Sequence, residues 1–314
     1  MRTAATVIVV LMVAACGSRG ATSYPTRNVT YLIAFDPGGQ SDREARRQQP
    51  LLQQYLGRTV VIDYKVGGGG ALAWSEAARS RPDGYLVVGI NVPHVILQPL
   101  QQDTGYETNQ LHPIVLFQRT LIALAVSVDS PYTTFDAFVK AARANPGTMS
   151  IGGSGTFTAP HLASARLDRL TGSRTTYVPF SGSASAITAF LGGHTTANFA
   201  FSDDVTKFRD RMRILAIATE TRFPAFPDVP TFRELGFDLV DAVDRGVAVP
   251  RGTPETVVKK LESVFLQIAN DPAIQDAQMR DGFVPIAMGS QEAVTYIEER
   301  TQYYKQLLKE LERH

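Results

Sequence analysis

Two glycine-rich turns, each set between an apolar strand and a helix, are the part of this sequence best suited to chemistry. The first, Phe35-Asp36-Pro37-Gly38-Gly39-Gln40-Ser41-Asp42, follows the apolar run 29–34. The second, Gly67-Gly68-Gly69-Gly70 leading into Ala71, follows the β-branched run 59–62. Glycine lets the backbone approach a ligand closely, and a helix start offers unpaired N–H groups with partial positive charge. Two such turns side by side make a main-chain cradle for an anion, suited to holding a small negative molecule rather than transforming one. Ordinary strand-to-helix turns are the competing reading. Four consecutive glycines exceed what a turn needs and favour the cradle.

Catalytic motifs are weaker. Gly152-Gly153-Ser154-Gly155-Thr156 approaches a serine nucleophile elbow, but threonine stands where the last glycine belongs and no histidine and acid pair can be assigned to it. Gly68-Gly69-Gly70-Ala71-Leu72-Ala73 meets a loose dinucleotide fingerprint, yet Asn91 occupies the region where an acid should hold the ribose. No lysine and hydroxyl pair follows the glycines, as a P-loop requires. The histidines are scattered and a single cysteine builds no metal site. No cofactor and no metal are therefore implied. Asp42 suits either a ligand donor or the positive end of its helix, worth about 0.3–1 kcal/mol. Lys65 suits an anionic ligand or solvent. His161, on a helix, reads as a packed and capped side chain before a ligand contact, and His94 and His112 lie beside prolines with no sign of chemistry.

The elements that must position these residues alternate between strand and helix. A capping-box spacing, Ser41 to Glu44, starts a helix that ends near Gly57. Strands are expected at 85–90, 121–128, 149–152, 175–179, 197–201 and 214–219, with helices at 134–144, 159–170 and 184–191. Such alternation predicts an α/β fold with parallel sheets. Apolar stripes at Val257, Val258, Leu261, Val264, Phe265 and Ile268, and at Val294, Ile297, Tyr304, Leu308 and Leu311, predict two C-terminal helices packed on a core. With 314 residues and 44% hydrophobic content there is material for two domains. Crossings between them are expected near 119–122 and at the proline-rich stretch 223–230. A net charge of +1 leaves no basic face for nucleic acid.

The N-terminus addresses the protein. Arg2 precedes an apolar run at 4–13, too short to span a bilayer and proportioned like a signal-peptide core. The sole cysteine, Cys16, directly follows Val13-Ala14-Ala15, which resembles a bacterial lipobox. This predicts a signal peptide at 1–15, lipidation of Cys16 and a tether at 16–23. The alternative is a secretory signal cleaved nearby. Both readings export the protein to the periplasm or the outer face of the membrane.

A series of short motifs then resembles, in order and spacing, the Bug-type periplasmic solute receptors, the binding proteins of tripartite tricarboxylate transporters. They are Pro37-Gly38-Gly39 with Asp42 and Ala45-Arg46, Arg81-Pro82-Asp83-Gly84-Tyr85, Ala144-Asn145-Pro146-Gly147, Gly155 with His161-Leu162, and Val178-Pro179-Phe180 with Gly182. Leu191-Gly192-Gly193, 215–219, 226–231 and 250–254 continue the series over nearly all of the mature chain. The resemblance implies a two-lobed, flytrap-like periplasmic-binding-protein fold, each lobe a mostly parallel sheet flanked by helices. Lobe 1 would hold 24–121 with 230–314 and lobe 2 would hold 122–229. It implies a monomer that closes over a small carboxylated solute, with membrane transporter subunits or a sensor protein as partners. The candidate ligand set from lobe 1 is Gly38, Gly39, Gln40, Ser41, Asp42, Gly68, Gly69, Gly70 and Ala71. From lobe 2 it is Ser154, Gly155, Thr156, His161, Ser181, Gly182, Ser183, Ala184 and Asp203. N-capping is the competing role for the serines and threonine. Asp36 and the run of four glycines depart from the family pattern, as does a shortened segment after Asp204, so the ligand is not carried over from relatives. The competing functional reading is an exported or nucleotide-dependent enzyme acting on a small anionic substrate.

Overall fold

Two copies of the same three-stranded parallel unit face each other in the computed structural model, which describes residues 24–312. The expected signal peptide (1–15), Cys16 and the tether lie outside the described residues. In lobe 1, β1 (Val29–Ile33), α1 (Gln40–Leu56), β2 (Val60–Tyr64), α2 (Ala71–Arg79) and β3 (Leu86–Val92) form a βαβαβ unit in spatial order β2-β1-β3, all parallel. Gly57, at φ 64°, ends α1 in the left-handed conformation that lets the chain turn back into β2. After α3 (His94–Gln101) comes β4 (Leu111–Ser127), an almost uninterrupted apolar strand of 17 residues, roughly 55 Å long at about 3.3 Å per residue.

Lobe 2 contains α4 (Phe135–Ala144), β5 (Ser150–Ser154), α5 (Ala159–Thr171), β6 (Thr176–Phe180), α6 (Ser183–Leu191), β7 (Ala197–Phe201), α7 (Ser202–Lys207) and β8 (Met212–Ile217). Its parallel order, β6-β5-β7, repeats that of lobe 1. The chain returns through β9 (Ala242–Pro250) and ends with α8 (Glu255–Ala269), α9 (Pro272–Arg280), β10 (Val284–Gly289) and α10 (Ser290–Glu312).

Strand β4 joins the lobes. Through Leu121 it pairs antiparallel with β9, and from Ile122 it pairs antiparallel with β7 and β8. The parallel sheet thus supplies three strands per lobe, and antiparallel strands complete each side. Each lobe packs apolar residues on both sheet faces. Leu52, Leu261 and Phe265 fill one face of lobe 1, and Trp74, Ile96 and Leu97 the other. Phe138, Phe199 and Phe232 fill one face of lobe 2, and Ile187, Phe190 and Met212 the other.

The return crossing differs from the sequence-based expectation. Proline-rich punctuation at 223–230 had marked it, but Phe232 and Leu239 are fully buried in lobe 2, Phe232 edge-on to Phe135 at 5.5 Å. Residues 230–241 therefore pack with the second lobe, and the chain crosses back at the start of β9. Prolines end an element, but a buried phenylalanine decides which core a segment joins. Helix α10 straps both lobes. It starts on lobe 1, where the Ser290 hydroxyl donates to the Pro113 carbonyl at 2.7 Å. Further along, the Tyr304 hydroxyl donates to Asp241 Oδ1 at 2.9 Å, and the Glu310 carbonyl accepts from Arg169 of lobe 2. No described helix is long and apolar enough to cross a membrane.

Candidate functional site

A parallel sheet ordered 2-1-3 opens a crevice at the carboxyl ends of its first and third strands, where the helices leave toward opposite faces. Both lobes turn this crevice toward each other. From lobe 1, Phe35, Gln40 and Ser41 follow β1, while Asn91 ends β3 and His94 starts α3. From lobe 2, Ser154 ends β5, Phe201 ends β7 and Ser183 opens α6. Arg245, on the crossing strand β9, completes the wall. The space between these residues is only ≈ 10 Å³, enough for the centre of about one water.

The lobes touch directly around this cavity. In the first turn Asp36 reaches across it: its Oδ2 accepts from the Ser181 hydroxyl and from the Ser185 N–H, each at 3.3 Å. Its carboxylate occupies the space that a Cβ on Gly182 would need, so a larger residue there would displace the Asp36 side chain. Asp36 therefore caps the helix of the opposite lobe. Gln40 and Arg43, on α1, donate to the two oxygens of the fully buried Asp203 at the start of α7. Gln98 Nε2, on α3, donates to the carbonyls of Thr156 at 2.6 Å and Phe157 at 3.1 Å.

The four glycines of the second turn have φ values of 139°, 58°, 61° and 103°, so each occupies backbone space that side chains avoid. Gly69 sits against Gly155 of the opposite lobe, where an added Cβ on Gly155 would come within 2.9 Å of the Gly69 Cα. Gly69 thus forms a seam with Gly155 and Thr156, and none of Gly68, Gly69, Gly70 and Ala71 is among the residues lining the cavity. The two turns of lobe 1 are not joined in one cradle at the cavity.

The other expected residues divide as follows. Gln40, Ser41, Ser154 and Ser183 line the cavity. Gly38 and Gly39 shape the first turn, with Gly38 at φ 79°. Asp42 accepts from the Gly38 N–H at 2.7 Å, from Arg46 Nε at 2.8 Å and from the Tyr64 hydroxyl at 2.5 Å, so it braces that turn from within lobe 1. His161 Nδ1 accepts from the Phe157 N–H at 3.0 Å and its ring lies 4.7 Å from that of Tyr177, a packed and bonded histidine. Ser181 and Gly182 meet Asp36, and Ala184 lies half-buried on the first turn of α6. Asp203 is spent on Gln40 and Arg43.

Burial governs the charges here. It pushes Asp203 up, with Arg43 and Arg245 pulling the other way. It pushes Asp204 well up, and the neighbouring Asp203 charge adds to the effect. His94 is driven down to about 3, first by burial and then by Arg245, so its ring is neutral. Arg245 is lowered by burial to about 10 and keeps its charge at neutral pH. Ser154 and His94 share the cavity, but no hydrogen bond joins them, so the activated-nucleophile arrangement is not formed. Sequence reasoning missed Arg245, His94, Asn91 and Phe201 as cavity residues. A charged residue inside the apolar run Val243 to Pro250 was the one signal for Arg245.

Two α/β lobes joined by crossing strands, with a polar cavity at the facing strand ends, define a two-lobed solute receptor. Residues 45–313 match the tripartite tricarboxylate transporter family receptor, and the chain belongs to that family. It is 26% identical over 296 residues to the protein BugT of Bordetella pertussis, covering 92% of this chain and 91% of that one. Among solved structures, a periplasmic transporter superposes with a TM-score of 0.86 at 32% identity, covering 91% of this chain and 98% of that one. Rpa4515 of R. palustris, solved with adipate, gives 0.86 at 25% identity, covering 92% and 98%.

Proposed function

We propose that this chain captures a small organic carboxylate between its lobes and presents the loaded form to membrane transport subunits. The observation that carries this reading is the convergence of four strand ends, two per lobe, on one polar cavity between the lobes. Hydroxyls of Ser41, Ser154 and Ser183 and the amide of Asn91 suit carboxylate oxygens, and the family relative solved with adipate supports that ligand class. A dicarboxylate does not fit a space of ≈ 10 Å³. Capture therefore requires the lobes to part, and a bound ligand holds them further apart than they sit here. Export by the N-terminal segment and lipidation at Cys16 would place the receptor at the envelope.

A thermal-shift screen tests the reading with mono-, di- and tricarboxylates, each beside its uncharged amide. A concentration-dependent rise with an acid and not with its amide is expected, because a ligand that binds only the native state stabilises it. Equal responses to acid and amide, or a response to nicotinamide nucleotides alone, would replace the reading with that of another ligand class.

A further inference from the structure

We propose that Arg245 is the specificity-determining residue of the cleft, reading a second anionic group so that a dicarboxylate is taken in preference to its matching monocarboxylate. This rests on the carboxylate reading above and extends it. Arg245 sits on β9 between Asp244 and Gly246, is 4% exposed and lines the cavity. The strand fixes its place, because a Cβ on Gly246 would run into the backbone of Val115 on β4. The guanidinium donates to two neutral acceptors, Thr120 Oγ1 and Gln40 Oε1. Its Nε, buried, has no partner. The guanidinium carbon lies 5.5 Å from the Phe201 ring centroid, a further contact that brings no carboxylate to it.

Buried cations are ordinarily paired with a carboxylate. No described carboxylate lies within the 4.0 Å of an ion pair with Arg245. Asp203, the acid that most offsets it, is ion-paired to Arg43 and bonded to the Gln40 amide. The Gln40 side chain thus has its nitrogen toward Asp203 and its oxygen toward Arg245, separating the two charges. Beside them His94 Nδ1 is also buried without a partner and lines the same cavity. Two unsatisfied polar atoms on residues that line one cavity, one of them on a cation, call for one ligand group, and an anionic oxygen answers the cation. The serine hydroxyls at the cavity's other positions remain for the first carboxylate, leaving Arg245 for the second.

Isothermal titration of the full chain with succinate, glutarate and adipate, against butyrate, valerate and hexanoate, tests this. For at least one chain length the diacid should bind about tenfold or more tightly than the monoacid, the range of one charged hydrogen bond. Arg245→Met should remove that preference by weakening the diacid about tenfold while moving the monoacid little, and Arg245→Lys should retain part of it. A wild type that binds each monoacid as tightly as its diacid overturns the assignment and leaves the carboxylate reading standing, with no variant needed. Folded Arg245→Met protein that keeps the preference overturns it as well. Silence toward all six acids would overturn the carboxylate reading itself.

Discussion

His94 and Arg245 share a cavity, where burial and then the Arg245 charge hold the histidine neutral down to about pH 3 while the arginine keeps its own charge at neutral pH. An unfolded histidine takes up its proton near pH 6.5. Between these values the unfolded state binds the extra proton, so His94 contributes stability that is complete above about pH 6.5. That contribution is lost as pH falls toward 3, by at most about 1.4 kcal/mol per pH unit. Asp203 and Asp204 act in the opposite sense. Their raised values favour proton uptake by the native state, so their contribution is lost as pH rises through the folded values. In His94→Gln the fall of melting temperature between pH 6.5 and 4.5 should be shallower than in wild type. An unchanged slope would mean that another group drives the acid limb.

At the scale of elements, the cleft is held by contacts made from one lobe to the helix starts of the other. Asp36 serves α6 as an N-cap supplied across the gap, and Gln98 ties α3 to the turn before α5. An N-cap is worth about 0.5–2 kcal/mol, so losing this one should reduce the closed-to-open ratio of free protein about twofold to about thirtyfold. Small-angle scattering on Asp36→Ala should then give a larger radius of gyration without ligand, converging on the wild-type value when a ligand is saturating. Equal radii without ligand would show that Asp36 caps α6 without holding the lobes. A ligand that spreads the cleft must replace these contacts with its own. Closure is therefore decided by the difference between what the two lobes bind in each other and what they bind in the ligand.

At the scale of the molecule, the lobes are joined by β4, β9 and the strap of α10, so parting them bends two strands and loads the Tyr304–Asp241 contact. Such a joint permits a hinge about the strand crossings while both cores stay intact. Lipidation of Cys16, as proposed above, would hold the receptor at the membrane. Cys16→Ser should move the protein from the membrane fraction to the soluble fraction of the envelope. Retention of the variant in the membrane would refute lipidation at Cys16.

The α/β alternation and several of the turns were legible in residue order, because they depend on local periodicity, glycine and capping chemistry, and the two-lobed class followed from the resemblance carried by the series of short motifs. Ser41, Ser154 and Ser183 were legible as strand-end or helix-start residues, and the structure brings them to one cavity. The four glycines were legible as unusual, but the seam at Gly69 was not, because its partner Gly155 lies in the other lobe. Phe232 was assigned to the wrong core because proline punctuation is local and burial is not. The long β4 was read only in its second half, and β9 and β10 were missed. Their pairing partners lie far away in sequence, and nothing in a single apolar run says which strand will accept its hydrogen bonds. Arg245, His94 and Asn91 became site residues only when these pairings brought β3, β9 and the start of α3 to one wall. The sequence by itself determined which segments could be strands, helices and tight turns, since those rest on backbone freedom and side-chain period. The tertiary structure alone decided which polar groups would be buried opposite one another, since desolvation acts on neighbours in space.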